Sequence, residues 1–283
     1  MKLLALLSFF VVITTRCNAL LCFDAKTAIV IPLDNFSLND FTKIIKNFSS
    51  TNGHEKCLVE IQINYGQEVL NVLFGSIANS NSLTTNSQIY IDTYIILNQP
   101  EIHMESNNIM NNIRFICNTN DCNRQFVFDH LEWLLEVEYN DLVSNISPLL
   151  INKNEKTDKC IFGEQNQIQL CPTGICYLEY SMSTDQIRYE CENDPDIQPA
   201  LHIRTYFTIQ EDHNREQMAK INFTINYWCQ LDGCNNKTIA TQIITVIEEN
   251  YNLFEIKDIL DLAYIEYWLE EEIDEHSETN KKQ

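Results

Sequence analysis

The chain has 283 residues, with 40 acidic against 19 basic side chains and only 6 glycines. A net charge of −21 argues against nucleic acid or an anionic membrane as partner, because both need Lys and Arg at phosphates. Such acidity keeps a secreted protein in solution; the sharper reading of it is a cationic partner.

Residues 1–19, MKLLALLSFFVVITTRCNA, place Lys2 ahead of an apolar run from Leu3 to Ile13 and end on small residues at Ala19. This is the pattern of a secretory signal peptide, and the apolar run is too short for a span of about 20 residues. The last residues, SETNKKQ, are polar, unlike the greasy tail of a lipid-anchor signal. The expectation is a free protein outside the cell. CLVEIQINYGQEVLNVLF at 57–74 reads as a hairpin turning near Tyr65-Gly66. Residues 89–97, a polar turn around QPEIHMESN and then IRFIC form a second hairpin, ending at Cys117. Beyond it Val127, Leu131, Leu134 and Leu135 are spaced as on a helix, in Leu- and Glu-rich sequence. Residues 176–190 give a further hairpin, and 201–209 with 221–228 another, ending at Cys229. Ile239, Ile243, Val246 and Ile247 repeat the helical spacing in β-branched residues, which are weaker helix formers. A last helical stretch is expected from Ile256 to Ile273, fraying where EEEIDE opposes the helix dipole.

These elements repeat. FICNTNDCNR at 115–124 returns as YWCQLDGCNN at 227–236, an offset of 112 residues. At that offset Ile91, Thr93 and Tyr94 meet Ile203, Thr205 and Tyr206, Asn123 meets Asn235, and Glu136, Tyr139 and Asn140 meet Glu248, Tyr251 and Asn252. Upstream, CLVEI at 57–61 matches CYLEY at 176–180 after an indel. The expected organisation is a signal peptide at 1–19, one domain at 20–152, a related one at 156–252 and an acidic helix with a polar tail at 253–283.

Cys17 leaves with the signal, and ten cysteines remain. An even number in an oxidising compartment reads as five disulfides. The competing reading is zinc, since CxxxxC occurs at 117/122, 171/176 and 229/234. Structural zinc sites usually space their ligands by two to four residues and often use His; here His54, His103, His130, His202, His213 and His276 all lie away from the Cys pairs. These histidines share no motif, and GxSxG, HExxH, CxxC and a glycine-rich phosphate loop are all missing. No catalytic residue, metal ligand or cofactor is therefore assigned. Glu270-Glu271-Glu272 reads as a solvated face. Trp133, Trp228 and Trp268 read as packing residues, or one of them as a binding anchor. Sequons at Asn35, Asn47, Asn145, Asn222 and Asn236 mark candidate glycosylation sites, Asn145 being the weakest because Pro148 follows Ser147.

Cys160, CPTGICY at 171–177, IRYEC ending at Cys191 and CQLDGCN at 229–235 together resemble the three-finger superfamily of Ly6/uPAR and snake-toxin-like domains. Asp232 falls at the family's Asp position or within one residue of it. The resemblance covers 160–235, and 22–123 by way of the repeat. The fold class it implies is mainly β and disulfide-rich: two tandem three-finger-like antiparallel β domains, each followed by a helical segment. It implies the pairs Cys160–Cys176, Cys171–Cys191 and Cys229–Cys234, and in the first domain Cys22–Cys57 and Cys117–Cys122, with the third pair missing there. It also implies that the Asn after each clasp bonds back onto the knot. The chain departs from the family in lacking an adjacent Cys pair before the last bridge, in a long third finger and in the sequence that follows each clasp. The function implied is non-enzymatic: recognition of an extracellular protein partner, of receptor or channel type, through finger tips and sheet faces. Tip candidates are Ser183, Thr184 and Asp185, and Asp212, His213 and Asn214. The alternatives are a secreted hydrolase with scattered acidic residues and a structural, oligomerising extracellular protein.

Overall fold

The computed structural model describes residues 20–46, 48–77, 87–97, 109–151, 158–163, 167–211, 217–251 and 264–267. It is mainly β, with five disulfides. Residues 1–19, the expected signal peptide, lie outside the described residues. Among those described, no helix is long and apolar enough to cross a membrane. The chain divides into two compact units, Met1–Ile89 with Asn112–Val137, and Tyr90–Asn111 with Glu138–Gln283.

In the first unit, β1 (Leu20–Phe23) pairs antiparallel with β3 (Ser50–His54). Between them lie β2 (Ile29–Pro32) and helix α1 (Leu38–Ile45). The hairpin of β4 (Lys56–Asn64) and β5 (Val69–Ile77) is the one expected around Tyr65-Gly66, with β2 on its outer side. β7 (Ile109–Cys117) runs into this unit beside β4. Alternation decides the faces: Val59, Ile61 and Ile63 on β4 and Leu70, Val72 and Phe74 on β5 are buried, and their neighbours are not. Helix α2 (Cys122–Glu136) packs on β4 and β1 and buries Phe126, Val127, Leu131 and Leu134. The Phe126 ring stacks on Phe115 at 4.2 Å. Each such side chain, fully buried, contributes about 2 kcal/mol.

In the second unit, β8 (Lys159–Phe162) pairs with β9 (Gln167–Leu170). The sheet beside them has the order β11 (Gln186–Cys191), β10 (Cys176–Ser181), β13 (Gln217–Cys229), β12 (Ala200–Glu211) and β6 (Ser87–Ile96). Its apolar face carries Ile91 and Ile95 of β6, Leu201, Ile203 and Phe207 of β12, and Ile221, Phe223, Ile225 and Tyr227 of β13, all buried. Helices α3 (Asn140–Leu150) and α4 (Lys237–Asn250) pack on each other, burying Leu142, Ile146 and Leu150 on one and Ala240, Ile243 and Ile247 on the other. α4 forms despite its β-branched run because its apolar stripe is buried and Asn236 caps it, accepting from the Ile239 N–H at 2.9 Å. Thr93 and Tyr251 share a hydroxyl hydrogen bond of 2.8 Å, and the Tyr139 hydroxyl accepts from Asn111 at 2.6 Å.

The second unit takes in residues on both sides of the expected boundary at 152/156. Tyr90–Asn111 and the residues from Glu138 onward belong to the second unit, because β6 lies beside β12 and α3 packs on α4. The expected helix at Ile256–Ile273 is contradicted at Tyr264–Tyr267, which form strand β14, parallel to β13. YIEY is aromatic and β-branched, and β13 extends beyond the last residue that β10 pairs, so it offers backbone groups that a strand can bond. The rest of that stretch lies outside the described residues.

Candidate binding face

The bridges Cys22–Cys57, Cys117–Cys122, Cys160–Cys176, Cys171–Cys191 and Cys229–Cys234 are the pairs that the three-finger resemblance implies. Each short clasp delivers the Asn that follows it into a knot. Asn235, fully buried, accepts from the Ile161 N–H at 2.9 Å and donates to the carbonyls of Ile161, Tyr177 and Glu190 at 2.9, 3.1 and 3.3 Å. Asn123, also fully buried, accepts from Phe23 N–H at 3.3 Å and donates to Phe23, Leu58 and Gly75 carbonyls at 2.7, 3.0 and 3.3 Å. One amide thus joins three segments in each unit. The Sγ atoms of Cys176, Cys229 and Cys234 lie within 4.8 Å of one another, but all three are in disulfides, so none offers a thiolate to a metal.

Strand alternation that turns the apolar residues of the second unit toward the helices turns a different set to the other face. Register places Tyr177 opposite Trp228 and Glu190, Glu179 opposite Asn226 and Arg188, and Asn226 opposite His202. The rings form a chain: Tyr177 to Trp228 at 5.2 Å, Trp228 to Tyr94 at 6.4 Å and Tyr94 to His202 at 5.7 Å. Beside them Tyr90 stacks on Tyr206 at 4.5 Å. The rings are half-buried, and Tyr90 is 37% exposed. Polar groups hold them in place. The Trp228 indole N–H donates to Glu192 at 2.9 Å, the Tyr177 hydroxyl donates to Glu179 at 2.9 Å, and His202 Nε2 lies 3.4 Å from Asp92. Burial, and next the hydrogen bond to Glu179, push the Tyr177 phenol well above its ordinary value; burial raises Tyr94. Arg204 is exposed, and its Nη2 lies 2.9 Å from the Asn226 side-chain amide. This face is rich in Tyr, Trp and Arg, the residue types that dominate binding energy at interfaces.

Of the tip candidates, Ser183, Thr184 and Asp185 form the turn of the β10–β11 hairpin, with Thr184 and Asp185 exposed and Asp185 in the left-handed region at φ 48°. The Tyr180 hydroxyl donates to Asp185 at 3.4 Å. Asp212, His213 and Asn214 lie outside the described residues, as do Asn47 and Trp268. Asn35 closes the 3-10 turn Leu33–Asn35. Asn145 is exposed on α3, Asn222 is half-buried in β13 opposite Tyr206, and Asn236 is the α4 cap. Trp133 is half-buried on α2. The sequence reading missed the aromatic face. The signal was present in the strand parity: Tyr90, Tyr94, His202, Tyr206 and Trp228 occupy the alternate positions that a half-covered sheet usually fills with small polar residues. Comparison of the chain with protein-family models, curated proteins and solved structures finds no match.

Proposed function

We propose that the chain is a secreted, non-enzymatic binding protein, built as two divergent tandem three-finger-like domains, that recognises an extracellular protein partner of receptor or channel type. The single observation that carries this reading is the Tyr177–Trp228–Tyr94–His202 chain of half-buried rings on one sheet face. Half-buried aromatic rings locked by hydrogen bonds offer large contact area and lose little conformational freedom on binding. Sulfur bridges and buried Asn knots support the scaffold side of the reading, since small finger-like sheets need staples to hold their shape. Signal cleavage after Ala19 and glycans on the sequons belong to the same proposal. The protein works without metal or cofactor, and the Ser183–Asp185 turn borders the face as a secondary contact.

The test is a screen of the purified glycoprotein against an array of receptor and channel ectodomains, with the double variant Tyr94→Ala, Trp228→Ala alongside. The expected result is at least one ectodomain that binds the native chain and loses about a hundredfold in affinity with the variant. Binding indifferent to both substitutions would overturn the assignment of the face.

A further inference from the structure

β13 runs from Gln217 to Cys229, but β10 accompanies only part of it, and the last pair is Ser181 with Thr224. The Met182 N–H adds one bond, to the Phe223 carbonyl at 3.0 Å. On its other side β13 is paired by β12 along its length. The edge that β10 leaves is taken by β14, with Met218 opposite Tyr264 and Ile221 opposite Tyr267. This pairing is parallel, whereas the hairpins of both units are antiparallel. β14 has four residues and, among the described residues, pairs with β13 alone. A strand held by four residues along one edge sits at the low end of local stability. Its register sets Glu266 opposite Lys220 on the adjacent strand.

We propose that the Met218–Ile221 edge of β13 is an acceptor for an extended peptide segment with an acidic residue among aromatic and β-branched ones, and that β14 is its resident, exchangeable occupant. An incoming strand replaces the main-chain hydrogen bonds that β14 gives up, so exchange is nearly neutral in backbone bonding. Selectivity then comes from the side chains at alternate positions. Lys220 sets the preference for a carboxylate at the third position of the strand. This edge is separate from the aromatic face, so either assignment can fail without the other.

The experiment uses the full chain carrying Ile265→Pro and Glu266→Pro, which removes two strand N–H groups and releases β14. The probe is a fluorescein-labelled peptide, DLAYIEYWLE, the sequence of residues 261–270, read by anisotropy. The released chain should bind it saturably and at least about tenfold more tightly than the native chain, whose tethered strand competes at high effective concentration. Adding Lys220→Glu should weaken that binding about fivefold, and a peptide bearing E266K should recover it. Equal binding by native and released chains, or indifference to Lys220→Glu, would overturn the proposal. Amide exchange in β12 accompanies the titration. Protection there should persist in the released chain; its loss would make β14 an integral part of the sheet and equally defeat the idea.

Discussion

The two knots are built alike and braced differently. In the second unit Cys176 pairs across the hairpin with Cys191, and Cys171 bridges to that Cys191. In the first unit the same register position opposite Cys57 is Ser76, and the knot has one bridge fewer. What the first unit has instead is chain. Cys22 and Cys57 are 35 residues apart, against 16 for Cys160 and Cys176, and the extra length carries β2 and α1. That insertion buries Ile29, Phe41 and Ile45, and the Phe23 ring packs edge-on against Phe74 at 4.7 Å. Apolar burial lowers the free energy of the folded unit, whereas a bridge raises that of the unfolded chain. The pair of units shows the two routes converging on one architecture around one shared amide.

The shared amide should matter most in both. Asn235→Ala leaves one N–H and three carbonyls of the second knot without their partner, and a loss of about 4 kcal/mol is expected. Asn123→Ala should cost the first knot a similar amount. Amide exchange resolved by segment measures each unit separately. A loss under about 1 kcal/mol in either would mean that water replaces the amide, and that the knots rest on sulfur alone.

Next come the differing braces. Replacing Cys171 and Cys191 by Ser opens a bridge of sequence separation 20 and should cost the second unit about 3 kcal/mol. Phe41→Ala, in a side chain 1% exposed, should cost the first unit about 3–4 kcal/mol. Comparable losses, each confined to its own unit, would support packing as the stand-in for the missing bridge. A Phe41→Ala chain with unchanged exchange in β1 and β4 would refute it.

A third test uses the repeat positions Tyr139 and Tyr251. Burial, opposed by hydrogen bonds to Asn111 and Thr93, pushes the Tyr139 phenol up to about 12. The folded state thus holds the proton more tightly than the unfolded chain, whose tyrosines titrate near about 10. The stability this confers is complete below pH about 10 and is lost as pH rises from about 10 to about 12. Tyr139→Phe should abolish its share of that alkaline loss, on the order of 2 kcal/mol, while costing about 1 kcal/mol at neutral pH through the Asn111 bond. Denaturant titrations at pH 9 and pH 11.5 check both. An alkaline loss in the variant equal to that of the native chain would contradict the assignment.

Much of this architecture could be read from residues. Periodicity located the hairpins at 57–74, 176–190 and 201–228, because alternation on a one-sided sheet is a strong local signal. The 112-residue offset located Asn123 and Asn235 together. α1 and β2 were not legible: LNDFTKII is a short amphipathic stretch whose helicity depends on burying Phe41 and Ile45. The strand at Tyr264–Tyr267 was illegible for the same reason, since its partner is an edge far away in sequence. The aromatic face went unread because Tyr and Trp in a strand fit a core and a binding surface equally well until their parity is set against their neighbours.

The smallest expected difference separates the two helices that follow the clasps. α4 begins with Asn236, whose side chain accepts from the Ile239 N–H, whereas α2 begins with Asp121 at φ 60°, with no capping bond from its side chain. Asp121 is engaged instead in an ion pair with Arg124. Asn236→Ala should therefore cost about 1 kcal/mol, the ordinary worth of a cap. Asp121→Asn, which tolerates the same left-handed backbone and loses only the charge, should cost only a few tenths, since a half-exposed i,i+3 ion pair adds little. Asn236→Asp keeps the acceptor, adds a charge favourable at a helix N-terminus and removes the sequon, but gives up the donation to the Gly233 carbonyl at 2.7 Å, so it should recover only part of the stability while abolishing any glycan at that position. Segment-resolved exchange over Lys237–Asn250, with intact mass of the secreted chain, reads both at once. If the Asp variant were as unstable as the Ala variant, the bond from the Asn236 amide to the Gly233 carbonyl, rather than the capping bond to the Ile239 N–H, would be what holds the start of α4.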